Sequence, residues 1–376
     1  MAKKEKFEAA ISTIAGSGFP VFLRAIKAHT IDPGYKSRLW KSAVVSLIGE
    51  PFRWTEKLRY GKKIRDFEIK HDPIFILGHW RSGTTLLHNL IAQDPRMGYV
   101  TTYQSVFPNY TLSSRWLWRN MMKLMMPDKR ASDNVELSVN YPQEEEFAIG
   151  GINSYSYYNW WYFPKDARTL FKQFISFEAS DAALKQQWKD DYKALVKKSL
   201  INLEKECFVS KNPPNTGRID TLTEIFPDAR FIHIYRNPVA VFISTKKFFT
   251  NTIPPLQFQR ISEAEMEELI FDVYEMLMRK YLKDRKLLNE QQLIEIRYED
   301  FEKNPLPFIE KIYKQLKIPN FKEAKPGFEK YLQKQKKFVS NKHQLKQETV
   351  DKILQRWDFA MKAFNYDVPG NIEIIK

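Results

Sequence analysis

Apolar residues recur at helical spacing from Phe7 to about Ala28 and again from Lys36 to about Leu58, with lysines and arginines between them. That periodicity predicts two amphipathic helices at the start of the chain. The pattern then changes character. Pro73-Ile74-Phe75-Ile76-Leu77 is a short continuous apolar run, which reads as a strand buried on both faces. A loop through Gly78 and Gly83 leads into a helix from Thr84 to about Ala92, and Tyr99-Val100-Thr101 reads as a second short strand. From about Ser113 to Glu204 the spacing is mostly helical and rich in Met, Trp and Tyr. Strands resume at Cys207–Ser210 and Arg230–Tyr235; a long helix from about Glu263 to Leu288 precedes a strand at Leu293–Arg297. The rest reads as helical, with a basic connector at Lys334-Gln335-Lys336-Lys337. Strands without period-2 alternation, separated by helices, predict an α/β fold with a central parallel sheet flanked by helices. No internal repeat or linker divides the chain.

Composition narrows the partners. The 376 residues include 60 Lys and Arg against 45 Asp and Glu, a net charge of +15 with His neutral. Such a surplus favours an anionic partner or simply a well-solvated basic surface. Cys207 is the only cysteine, which excludes an intrachain disulfide and a cysteine-based metal cluster and suits a reducing compartment. The apolar stretch after Met1-Ala2-Lys3-Lys4 is broken by Gly16, Gly18 and Pro20, and no apolar run reaches the roughly 18 residues of a spanning helix. The expectation is a cytoplasmic protein. Residues 1–60 form either a helical layer packed on the domain or a basic amphipathic surface in peripheral contact with a membrane.

Residues 74–90, IFILGHWRSGTTLLHNL, hold the densest chemical signal. A buried strand ends at Gly78 and the next glycine is Gly83, the spacing of a phosphate-cradling loop ahead of a helix N-terminus. A nucleoside triphosphatase would place Lys directly after the second glycine and an acidic magnesium ligand on a neighbouring strand. Here Thr84 and Thr85 follow Gly83, the cation is Arg81, and the later strand ends in Arg236. The loop is suited to phosphate without a metal.

Arg81-Ser82-Gly83-Thr84-Thr85 resembles the 5′-phosphosulfate loop of sulfotransferases that use 3′-phosphoadenosine 5′-phosphosulfate (PAPS). Arg236-Asn237-Pro238 through Ser244 resembles the same family's 3′-phosphate motif, and Arg297-Tyr298-Glu299-Asp300-Phe301 is similar to a segment after its last strand. Arg at position 81, where cytosolic members usually carry Lys, is similar to the bacterial, tyrosylprotein and carbohydrate-type branches. The resemblance implies a P-loop-like three-layer fold and a single sulfotransferase domain over 1–376. Residues 1–70 would form its helical N-terminal layer, 73–316 its nucleotide-binding core and 317–376 a helical C-terminal segment. It implies PAPS as co-substrate, 3′,5′-adenosine bisphosphate (PAP) as product, no metal, and Arg81, Ser82, Gly83, Thr84, Thr85, Arg236, Ser244 and Lys211 as nucleotide-binding residues. One departure stands out: the glycine-rich C-terminal loop that closes over the nucleotide in cytosolic members has no match. The stretch 337–343 could be a basic substitute or a solvated connector.

Transfer to an alcohol needs a base. In relatives a His or a Glu serves, and Pro142-Gln143-Glu144-Glu145-Glu146-Phe147 resembles an acidic helix start of bacterial members. Glu144 is the first candidate and Glu146 the second; His79 is their rival, and His88 reads as a packing residue. Arg81 is the expected transition-state cation. The expected acceptor is a small-molecule hydroxyl on a sterol, lipid or phenol rather than nucleic acid, with an acidic carbohydrate as alternative. Met121, Met122, Met125 and Met126, with Trp116, Trp118 and the Tyr155–Phe163 aromatics, could line its pocket or be plain core. A nucleotide-dependent phosphoryl transferase and a non-catalytic polyanion binder are the competing readings.

Overall fold

The computed structural model describes residues 13–125, 138–334, 343–370 and 372–375. Five strands build one sheet: β1 (His71–Leu77), β2 (Met97–Gly98), β3 (Cys207–Lys211), β4 (Arg230–Tyr235) and β5 (Leu293–Arg297). Their order is β2-β3-β1-β4-β5 and every pairing is parallel. In register, Ile76 of β1 faces Lys211 on one side and Ile232 on the other. The first helices are α1 (Phe19–Lys27), α2 (Lys36–Ile48), α3 (Glu50–Asp66) and α4 (Thr84–Ile91); later helices are named by their residues.

The chain divides into two compact units, each gathered from separated stretches. One unit takes Glu68–Tyr99, Ser199–Lys246 and the chain from Glu267 onward, and it holds the whole sheet. The inner strands β1, β3 and β4 are buried on both faces because both are covered, whereas the edge strand β5 exposes Glu295. Ile74, Ile76, Ile232 and Ile234 pack with α4 residues Leu87 and Leu90 and with Ile309, Ile312 and Phe328 from later helices. On the opposite face the Phe75 and Phe231 rings stack 5.4 Å apart, and His233 stacks on Tyr281 of the helix Glu263–Asp284 at 3.8 Å. Alternate side chains of one strand therefore serve two helical layers. The architecture is the expected α/β sandwich.

The other unit takes the chain up to Phe67 with Val100–Lys198 and Lys247–Met266. It is helical and held by aromatic packing: Trp160 lies 5.0 Å from Phe249, and Trp118 packs with Phe52, Phe107 and Tyr110.

Four local expectations change. The second strand is Met97–Gly98, ahead of Tyr99–Thr101, because Thr101 Oγ accepts from Gln104 N–H at 3.1 Å and caps a short helix, turning the chain away. The first helix begins at Phe19, since Pro20 suits a first turn and Gly16 approaches Val106 O too closely for any side chain; Phe7–Ser12 lie outside the described residues. Lys36–Leu58 splits at Gly49, with Pro51 opening α3. In the C-terminal segment, β6 (His343–Lys346) pairs in parallel with β7 (Ile372–Ile375), a small sheet missing from the helical reading. The candidate substitute loop, apart from His343, lies outside the described residues.

Candidate functional site

The loop after β1 owes its shape to two glycines. Gly78 has φ +145° and Gly83 φ +97°, a region where side chains are strained. A Cβ on Gly78 would stand 2.4 Å from Ile234 O, and one on Gly83 2.2 Å from Tyr298 Cδ2. Between them Arg81 is itself left-handed, at φ +70°, a strained setting for a long side chain. The turn is held from outside by Thr216, whose Oγ accepts the Gly78 N–H at 2.8 Å. Ser82 closes it from inside by donating its hydroxyl to His79 O at 2.6 Å. Thr84 and Thr85 then open α4, whose first amides and dipole favour an anion.

The two candidate phosphate motifs, far apart in the chain, meet here. Arg81 Nε donates to Ser244 Oγ at 2.9 Å, and Arg236 Nη1 donates to Arg81 O at 3.1 Å. The Arg236 guanidinium lies 4.5 Å above the Tyr298 ring, which also backs Gly83. The third motif thus acts as a support: Glu299 takes the Asn237 N–H at 3.0 Å and the Tyr366 hydroxyl at 2.5 Å, fixing the chain where β4 turns into the helix Pro238–Thr252. Lys211 ends β3 almost fully buried, at 3% exposure. Burial first, then the Lys211 charge, hold His88 well below its ordinary pKa despite a bond to Val209. His88 packs, as expected.

Sequence reasoning missed the wall behind the loop. Asn215 Oδ1 accepts from Arg218 Nη1 at 3.1 Å and from Asn212 Nδ2 at 3.2 Å, and Asn215 Nδ2 donates to Ser210 Oγ at 3.2 Å. Arg218 is fully buried. The available signal was a polar run with two prolines, 212–218, directly after a buried strand.

The acidic helix start lies in the helical unit. Glu146 Oε1 accepts the Tyr157 N–H at 2.6 Å and the Ser156 hydroxyl at 3.1 Å, which ties the helix Glu145–Asn153 to the following turn. Glu145 accepts from Tyr192 at 2.7 Å. Glu144 precedes the helix, keeps 8% exposure, and receives the Tyr158 hydroxyl on Oε2. In the sheet unit, His79 is 2% exposed and donates Nδ1–H to Trp80 O at 2.9 Å. Burial pulls its pKa down to about 4, only partly opposed by that bond, so the ring is neutral near pH 7. The Tyr157–Phe163 aromatics and Trp118 are buried as core, whereas Trp116 is 80% exposed; Met126 lies outside the described residues. Among the described residues, no group of three or more His, Cys, Asp or Glu is placed to hold a metal ion.

Residues 73–323 match the profile of the sulfotransferase family. Omega-hydroxy-beta-dihydromenaquinone-9 sulfotransferase Stf3 of Mycobacterium bovis is 28% identical over 332 residues, covering 87% of this chain and 85% of that protein. The Stf3 of Mycobacterium tuberculosis strain CDC 1551 matches to the same extent. The fold is similar to the crystal structure of sulfotransferase STF9 from Mycobacterium avium, with TM-score 0.67 at 18% identity over 94% of this chain and 98% of that one.

Proposed function

This chain belongs to the sulfotransferase family and is a sulfotransferase, and we propose that it transfers the sulfuryl group of PAPS to a hydroxyl of an apolar small molecule. The observation that carries the reading is the Arg81–Ser244–Arg236 cluster on the glycine loop, which gathers two guanidinium groups, a hydroxyl and the N-terminus of α4. A nucleotide with phosphates at both ends calls for such a paired set of donors. The acceptor class is supported by the Stf3 relatives, whose name specifies an omega-hydroxylated dihydromenaquinone.

When bound, PAPS supplies a sulfuryl group on a phosphate leaving group, and the transfer to an alcohol oxygen leaves PAP and one proton. The chain's part is to hold and to neutralise. Gly83, Thr84 and Thr85 present loop and helix amides to the 5′-phosphate, and Ser82 keeps the turn closed. Arg81 offsets charge on the leaving oxygen in the transition state. Arg236 and Ser244 hold the 3′-phosphate, and Lys211 adds charge at the end of β3. Glu144 takes the acceptor's proton. It is preferred because Glu146 is bonded into a turn, while the neutral His79 ring has a pKa of about 4, low for a base near pH 7.

Calorimetric titration with PAP tests the nucleotide site. Binding should be the same with and without Mg²⁺, and Arg236→Ala should weaken it by about ten- to a hundredfold, the value of a charge-assisted contact. Binding that requires Mg²⁺, or that ignores Arg236→Ala, would sink the reading. With binding in hand, turnover with PAPS on long-chain alcohols, phenols and acidic polysaccharides identifies the acceptor class.

A further inference from the structure

Helices on a globular surface normally turn apolar residues inward and polar residues to water. Helices α2 and α3 follow this rule only in part, because they also turn large apolar residues outward. On α2 Leu39 and Ala43 pack inward beside the buried Ser42 and Ser46, while Trp40, Val44, Leu47 and Ile48 form an exposed stripe at helical spacing. On α3 Phe52 packs inward and Glu56 is buried at 3% exposure, while Trp54 and Leu58 are exposed, the latter at 81%.

The inward polar groups are satisfied, so the orientation is built in. Ser46 donates to Ser17 O at 2.7 Å. Glu56 Oε2 accepts the Leu112 and Ser113 N–H groups at 2.8 Å each, and Oε1 meets Lys198 Nζ at 2.9 Å. The helix Arg115–Met125, which packs on α3 through Trp118 and Phe52, likewise exposes Trp116 and Leu124. Large apolar side chains exposed on three helices of one unit mark an interaction face.

We propose that this face docks on an anionic lipid bilayer. The charge around the stripe selects that occupant. Helix α2 carries Lys36, Arg38 and Lys41 with no acidic residue, and α3 adds exposed Lys57, Arg59, Lys62 and Lys63. Tryptophans with a ring of cations are the side chains that settle at a headgroup boundary. Among the described residues no helix is long and apolar enough to cross a membrane, so the helices lie on the bilayer and dip their apolar side into it. The use of such docking, to meet an acceptor dissolved in lipid, rests on the proposed apolar acceptor. The docking itself does not.

The test is flotation of the full chain with vesicles of phosphatidylcholine alone or mixed with phosphatidylglycerol, without PAPS. The wild type should float with the mixed vesicles, more weakly at high salt, and its tryptophan emission should shift to the blue. The double substitution Trp40→Ser/Leu58→Ser should reduce flotation about tenfold or more while PAP binding and melting temperature stay unchanged. Equal flotation of wild type and variant overturns the proposal. So does a wild type that fails to float, and sedimentation velocity then tells whether the face holds a second copy, as a dimer that the substitutions dissociate. None of these results bears on PAP binding, so the docking proposal and the sulfuryl-transfer reading fail separately.

Discussion

At Gly83 a methyl group would have to enter the space of the Tyr298 ring, from a backbone angle that already disfavours side chains. Gly83→Ala is therefore expected to cost about 1–3 kcal/mol of stability, read as a lowered melting temperature, and to abolish measurable PAP binding. The three glutamates at 144–146 separate by what their carboxylates hold. Glu146→Ala strips the acceptor from a buried backbone N–H and a buried hydroxyl, and should cost about 1–3 kcal/mol. Glu144→Gln keeps the size and a hydrogen-bonding oxygen for Tyr158, so folding should be unchanged while kcat falls by about 10²–10⁴. A kcat loss in the Gln variant of Glu144 that matches its loss of stability would remove Glu144 from the chemistry.

Among the elements, β1, β3 and β4 were legible because burial on both faces leaves nothing to alternate, and β5 because Ile294 and Ile296 keep the buried face of an edge strand whose Glu295 is exposed. The glycine loop was legible for another reason, since the spacing of two residues without Cβ reports a backbone shape directly. Strand β2 was not, because two residues carry no period, and the cap at Thr101 lies in a hydroxyl rather than in hydropathy. The exposed apolar stripes of α2 and α3 were also hidden. A helical period shows that two faces differ and says nothing about which of them meets the core. The Ser210–Asn212–Asn215–Arg218 wall was not legible either, because polar residues signal solvent unless their partners are known. Its cohesion predicts that Asn215→Ala, which removes bonds to three buried partners, destabilises by about 2–3 kcal/mol and weakens PAP binding through the shifted Thr216.

For the molecule as a whole, buried histidines set an acid limit. Burial lowers the pKa of His29, His79, His88 and His233, and that of His79 falls to about 4 from an ordinary 6.5. Between those two values the unfolded chain binds the His79 proton and the folded chain does not. The neutral ring's contribution is therefore complete above pH 6.5 and is lost as the pH falls towards 4. Chemical denaturation followed from pH 7 to 5 should show falling stability, and His79→Gln should flatten the slope by up to about 1.4 kcal/mol per pH unit.

The pairing of β1 carries a consequence for synthesis on the ribosome. Ile74 finds its neighbours at Val209 and Arg230, and Thr216, Tyr298 and Ser244 complete the loop from still other parts of the chain. A nascent chain that has just exposed Arg81 therefore owns the words of an anion cradle without its shape. That shape must wait until β5 and the turn after it have emerged, which makes the cradle one of the late acquisitions of a slow, long-range folding process.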